Sequence, residues 1–204
     1  MHLKRVLAIL AIAVCAGLPA RAQMPSRGGN NVSVDPGGHP MTERTRLPAD
    51  PEGSAEDLRL AGKCDQAIPI FRALVARGEG SELAQYNLGL CLLDTAKTAR
   101  DASEAASLKH EAALLILNAA NHDIAKSELR LVEMYLTGEG VPPDPIEAGK
   151  WSLIYRASGG RAALGLPNIS ADLQARLDGV LTDATWAQAR SRADAWTPIP
   201  QKME

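Results

Sequence analysis

From Ala55 onward, apolar residues recur at intervals of three and four, with no sustained alternation. That spacing is the period of a helix with one buried face. A first stripe, Leu58, Leu60 and Ala61, stops at Gly62, and a second, Ala67, Ile70, Phe71, Leu74 and Val75, stops at Gly78. Leu83, Ala84, Leu88, Cys91 and Leu92 form a third; Ala112, Leu115, Ile116 and Ala119 form a fourth. Leu129, Leu131, Met134, Tyr135 and Leu136 make a fifth, and Ile146, Trp151, Ile154 and Tyr155 a sixth. Short breaks of Gly, Pro or Asp separate them. Connections this short imply antiparallel helix hairpins.

The hairpins repeat. Ala112, Leu115 and Ala119 recur as Ala148, Trp151 and Tyr155, 36 residues later. Ala84, Leu88, Gly89 and Leu92 align with Ser127, Leu131, Val132 and Tyr135 at a spacing of 43. The seven-residue difference predicts a longer inner loop in the earlier hairpin, around Thr95 to Ser107. A hairpin cannot cover its own apolar face, so repeats at such periods stack into a solenoid. The predicted fold is all-α: a short right-handed α-solenoid of stacked antiparallel hairpins, at about 56–78, 81–121 and 124–159, within a repeat domain at 55–160.

The loop at 138–147 has its own logic. Gly138 and Gly140 can adopt positive φ where the chain reverses. Pro142 and Pro143 stiffen the loop. Asp144 is placed to cap the next helix, with Pro145 at its first position and Glu147 three residues after the cap, which predicts a capping box. Small Ala112, Ala119 and Ala148 allow close helix crossing, and Trp151 is expected to fill the gap between layers as a core anchor. After Gly159-Gly160 the repeat is lost. Residues 161–197 read as a helical cap with a polar outer face: one helix after Ser170 carrying Leu173 and Leu177, a second after Thr182 carrying Trp186, Ala189, Ala193 and Trp196. Residues 198–204 read as a tail.

The run from Leu131 to Asp144, with Gly138-Glu139-Gly140-Val141 at its centre, continued by Ala148 and Trp151 and closed by Gly159, resembles a Sel-like repeat, a relative of the tetratricopeptide repeat. It departs from that pattern at Ser127, Val132 and Tyr155-Arg156. The unit at 84–123 is a weaker match, with Leu92 and Leu115 at the ring positions and no G-x-G. Ala67, Phe71, Ala73 and Leu74 look like a plain tetratricopeptide unit. The resemblance spans about 56–160. It implies a protein-interaction scaffold or adaptor of the cell envelope. The first helix of each hairpin would line a groove, with exposed Glu82, Gln85, Glu128 and Arg130 as candidate contacts to a partner protein or peptide.

The N-terminus reads as an address. Lys4 and Arg5 precede an uncharged apolar run from Val6 to Leu18, then Pro19 and Ala20-Arg21-Ala22. These are the three parts of a secretory signal peptide, and the run is too short for a membrane span. Cleavage is predicted between Ala22 and Gln23, with residues 1–22 removed. An uncleaved anchor and lipidation at Cys15 are the competing readings. Membrane contact is then confined to the transient signal, and the product is periplasmic or secreted. Residues 23–54, rich in Pro and Gly, read as a disordered linker.

Export gives the cysteines meaning. Cys15 leaves with the signal. Cys64 and Cys91 lie at similar distances from the turn near Gly78 to Gly80, and a disulfide between them is predicted. Two buried thiols are the alternative.

Composition and charge narrow the function. The 204 residues are 46% hydrophobic and 3% aromatic, which argues against disorder and against a β-sandwich or barrel. Removing Lys4, Arg5 and Arg21 moves the net charge from −2 to −5. An acidic chain has no electrostatic footprint for nucleic acid. His110 and His122 have no partners at metal spacing, Glu104 and Glu111 form no compelling acid/base pair, and there is no nucleophile elbow or phosphate loop. The sequence predicts no catalytic residue, cofactor or metal. The leading expectation is therefore a non-enzymatic adaptor. A cell-wall accessory protein or enzyme acting on peptidoglycan is the alternative, and a self-associating subunit a third.

Overall fold

The computed structural model describes residues 50–78 and 80–200. The predicted signal peptide, its cleavage point and most of the predicted linker lie outside the described residues. Among those described there are nine helices and no strand. They are α1 (Pro51–Leu60), α2 (Cys64–Val75), α3 (Glu82–Ala96), α4 (Ala102–Asn121), α5 (Ala125–Thr137), α6 (Pro145–Ala157), α7 (Gly159–Ala163), α8 (Ala171–Val180) and α9 (Asp183–Asp194). Each of the first six packs on the next in chain order, and α9 lies against α6 where a further hairpin would stack.

Helix α1 begins at Pro51, inside the stretch expected to be linker. Asp50 accepts from the Gly53 N–H at 3.0 Å, and Pro51 stands at the first position, where its missing N–H costs nothing. Ala55 is buried, while Leu60, expected in the apolar stripe, is exposed. Leu83 is likewise more exposed than its stripe predicted, and Ala84 beside it is buried.

The core is thin and built from small residues. Ala67, Ala112, Ala119, Ala120 and Ala148 have no exposed surface, and Phe71, Ile116, Leu131, Val132 and Met134 fill the space between them. A Cβ at position 89 would stand 2.7 Å from Ile116, so α3 approaches α4 through a position only glycine fits. The extra seven residues of the earlier hairpin are not a loop. Helix α4 has 20 residues against 13 in α6, and the additional two turns lie at its N-terminus, capped by Asp101. Ala, Glu, Leu and Lys in that stretch favour continuing the helix.

Gly138 and Gly140 have φ of 75° and 76°, as the turn requires. The second glycine is needed twice over: a Cβ at 140 would overlap the Lys109 carbonyl oxygen of α4. The loop therefore rests on the preceding hairpin. Asp144 caps α6, accepting from the Ile146 and Glu147 N–H groups at 2.9 and 3.1 Å. The expected capping box is not formed. The Asp144 N–H donates to the Tyr135 carbonyl, and Glu147 instead meets Lys150 and Arg192. The loop has already satisfied the donor that the box would use. A true capping box forms at Thr182 and Thr185, at the start of α9.

Trp151 is fully buried between layers, as expected, with the Trp196 ring edge-on at 5.9 Å. The cap helices start after Ser170 and Thr182 as the sequence predicts. Leu173, Leu177, Leu181 and Ala189 face inward, and most of the rest is exposed. The short helix α7 was not anticipated. Ser158 caps it by accepting from the Arg161 N–H at 3.2 Å.

Candidate functional site

Cys64 and Cys91 are joined in a disulfide, with Cα atoms 5.2 Å apart. It ties the start of α2 to the second half of α3. Both residues are buried, so the bridge staples one layer to the next rather than decorating the surface.

The four residues expected as exposed contacts occupy other environments. Glu82 is buried at the first turn of α3. Its carboxylate accepts from the Gly80 N–H at 3.3 Å and lies 4.0 Å from His122 Nε2. A helix N-terminus favours an anion there, and the α4–α5 turn covers it. Gln85 is half-buried; it accepts from Asn118 Nδ2 at 2.6 Å and donates to Ser81 Oγ at 3.3 Å, cross-linking α3 to α4. Arg130 is also half-buried. It pairs with Glu133 at 2.7 Å and with Glu139 of the glycine loop. Glu128 is completely buried. Helical period alone places these residues off the main apolar stripe, but neighbouring hairpins stack over that face. No hydrogen bond or ion pair among the described residues joins the four to one another. Glu104 and Glu111 are likewise separate: Glu104 meets Arg100 and Glu111 meets Arg72.

Glu128 marks the most unusual chemistry in the fold. No N–H or O–H of the described residues donates to either of its oxygens. Its carboxyl lies against Asp123 and Ser158, and burial, then the neighbouring Asp123, push it up to about 8. Ser158 spends its own hydroxyl on Asp123, donating at 3.2 Å. Asp123 has φ of 61°, a left-handed conformation that Asp tolerates in a tight turn. Two carboxyl groups thus face each other at the seam between the α4–α5 turn and the end of α6. One of them sits in a site that favours its neutral form.

A cavity of about 530 Å³ opens beside this pair. Asp123 and Ser158 form part of its wall; Ile154, Ala157, Ala193 and Trp196 line it with apolar surface. Arg190 and Asp194 belong to its α9 wall. The segment after α9, expected to be a free tail, closes one side. The Ile199 N–H donates to the Asn121 carbonyl at 2.7 Å, and Trp196 Nε1 reaches Asn121 Oδ1 at 3.4 Å. Beyond Pro198 lies a shallower hollow of about 430 Å³, lined by His122, Asp123, Ile124 and Ile199.

Neither Asp123 nor Ser158 was singled out from the sequence. One signal for the seam was present: the internal alignment sets Glu128 opposite Gln85, a carboxyl where the sister repeat has a neutral amide. The role of Trp196 as a cavity wall had no such signal, because a ring in a helical stripe reads as core.

Among the described residues, no helix is long and apolar enough to cross a membrane, and no cluster of three or more His, Cys, Asp or Glu is assembled that could hold a metal. No family model and no curated protein matches the chain. A solved structure does. It is a protective antigen of uropathogenic Escherichia coli strains, described as displaying an SLR fold, with a TM-score of 0.56 and 22% identity. The match covers 71% of this chain and 28% of that one, so this chain spans under a third of the neighbour's length. The hairpin order, the glycine-reversed loop and this likeness lead to one conclusion: the chain has the Sel-like-repeat fold, closed at its C-terminal end by two helices of its own.

Proposed function

We propose that the protein is an exported, non-enzymatic interaction scaffold that binds a partner protein or peptide in the cell envelope. The observation that carries this reading is the stack of short hairpins. Each layer contributes a few small core residues and leaves polar helix surface along the stack, an arrangement suited to presenting side chains rather than enclosing a reaction. Gln85 and Arg130, both half-buried, and the exposed Asn118 are cross-linked within the stack, so their polar atoms are held in place before any partner arrives. Such preorganisation lowers the cost of binding. Export is supported by the three-part N-terminal segment and by the Cys64–Cys91 bridge, which persists in oxidising compartments.

The test uses the full chain with a C-terminal tag, expressed in its own host. Osmotic shock should release it, and N-terminal sequencing should begin at Gln23. Capture from the released fraction should yield one protein that untagged chain competes away. Retention on isolated peptidoglycan, with no protein captured, would replace this reading with the cell-wall one.

A further inference from the structure

The segment after α9 lies on the end of the repeat stack as a bound peptide would, in extended form and through its main chain. We infer that residues 197–200 are a displaceable strap in a groove, and that the groove receives an extended, uncharged, proline-flanked apolar segment of a partner in the strap's place. A partner segment of this kind rests on the scaffold function proposed above and gives it a chemistry.

Little holds the strap down. Thr197, Pro198, Ile199 and Pro200 are all exposed. Among the described residues, their one hydrogen bond to the stack runs from the Ile199 N–H to the Asn121 carbonyl at 2.7 Å. Trp196, half-buried against the core, is the fixed point from which they run. A segment with so little buried surface and a single surface hydrogen bond opens locally, far short of global unfolding.

The anchor point asks for a main chain. Asn121 is the last residue of α4, and its carbonyl is among those that a helix end leaves unpaired. The His122, Asp123 and Ile124 N–H groups turn back to the carbonyls of Ala119 and Ala120, so among the described residues Ile199 alone reaches it. Such a carbonyl needs a donor, and an extended backbone brings one at fixed spacing. Pro198 and Pro200 flank the donor, and prolines keep a segment extended before it binds. That lowers the cost of ordering it, for the strap and for a partner segment alike.

The groove is also larger than the strap. The hollow of about 530 Å³ and that of about 430 Å³ share two wall residues, Asp123 and Pro198, so the strap is the partition between them. Lifting it joins the apolar wall of Ile154 and Trp196 to His122 and Ile124. Ile199 is 49% exposed, which leaves apolar surface for a longer segment to cover. Asp123 stands in both walls and repels an acidic segment, while Arg190 and Asp194 add one charge of each sign on α9. The strap itself, Thr-Pro-Ile-Pro, carries no charge.

The experiment is an NMR titration of the full chain with an acetylated, amidated Ala-Thr-Pro-Ile-Pro-Gln peptide. In Ile199→Pro, which keeps the strap extended and removes its donor, saturable shifts are expected at the His122 and Ile124 amides. The native chain should bind the peptide roughly tenfold more weakly, because its tethered strap competes. A peptide N-methylated at its isoleucine has no N–H for Asn121 and should bind about fivefold more weakly than its parent. In the native chain, the Ile199 amide should exchange its hydrogen at least about a hundredfold faster than that of the buried Leu131. Should Ile199→Pro disturb the fold, Pro198→Gly with Pro200→Gly loosens the strap by another route and should give the same order of affinities. No saturable shift in a folded, strap-loosened chain, equal binding of the N-methylated peptide, or Ile199 exchange as slow as that of Leu131 would each overturn the strap. A strap-loosened chain that dimerises and ignores the peptide would assign the groove to a second copy and overturn the partner segment. Capture of an envelope protein alongside failure of the peptide would remove the groove alone and leave the scaffold standing.

Discussion

The two central hairpins solve the same packing problem with different chemistry. Helices α3 and α4 cross closely through Gly89, and α3 is bound to the preceding layer by a disulfide. Their connection has no glycine reversal; a 20-residue α4 with its own Asp cap takes that place. Helices α5 and α6, both 13 residues long, have Val132 where Gly89 stood, a glycine-reversed loop that rests on α4, and Trp151 as the filler. The earlier hairpin is held by a covalent staple and backbone proximity. The later one is held by a large ring and an interlocking loop. A repeat period therefore specifies where layers go, and each layer remains free to choose how it is fastened.

This contrast can be broken at several points. The largest effect is expected from Trp151→Ala, which empties the later hairpin of its filler and should cost about 4 kcal/mol in denaturant unfolding. Cys64→Ser with Cys91→Ser removes the staple of the earlier layer, which closes a separation of 27 residues. It should cost about 3 kcal/mol, and reducing agent should give the same loss in the native chain. If reduction leaves the melting temperature unchanged, the earlier layer does not depend on its bridge. Gly140→Ala forces a side chain into a left-handed turn and against the Lys109 carbonyl, and should cost at least about 2 kcal/mol. Gly138→Ala meets Pro143 instead of backbone, and comparing the two separates conformational strain from lost contact with α4.

Glu128→Gln tests the seam and has the opposite sign. The folded chain holds this proton until about pH 8, against 4.5 for an unperturbed carboxyl. Its contribution to stability is therefore fullest below about 4.5, is lost as pH rises through that window and levels off above about 8. The amide has no proton to lose. Glu128→Gln should raise stability by about 1 kcal/mol at pH 8 and flatten the decline, as thermal melts across pH will show. The smallest effect is expected at Arg192, which bridges α9 to Asp144 and Glu147 at 3.5 and 2.7 Å but is partly solvated. Arg192→Ala should cost about 0.5 kcal/mol, and salt should erase the difference.

Much of the fold was legible because local rules and global packing agree over 64–159. The stripe at Ala67 to Val75, the glycine reversal, the Asp144 cap and the Trp151 anchor all follow from spacing and residue type. The disulfide was legible for a similar reason: an antiparallel pair fixes the heights of Cys64 and Cys91. The first helix was misplaced because Pro51 and Gly53 read as linker, although Pro at a first helical position and Asp before it are also a helix start. The candidate contacts fared worst. Glu82 and Glu128 are polar, and polarity predicts solvent. Burial of a carboxylate depends on which neighbour stacks over it, and the sequence period does not contain that information.

Periodicity and turn chemistry along the chain were enough to specify helices, their hairpin pairing and their order, since these are set by contacts between residues close in sequence. The seam was decided elsewhere. Asp123, Glu128 and Ser158 are brought together across 35 residues, and Trp196 and Ile199 reach Asn121 across more than 70. Each of these residues obeys its own local rule and would look ordinary alone. Only when α9 takes the place of a further hairpin does this polar pair stand beside an apolar-walled cavity, because burial and charge pairing belong to the packed arrangement and not to any one segment.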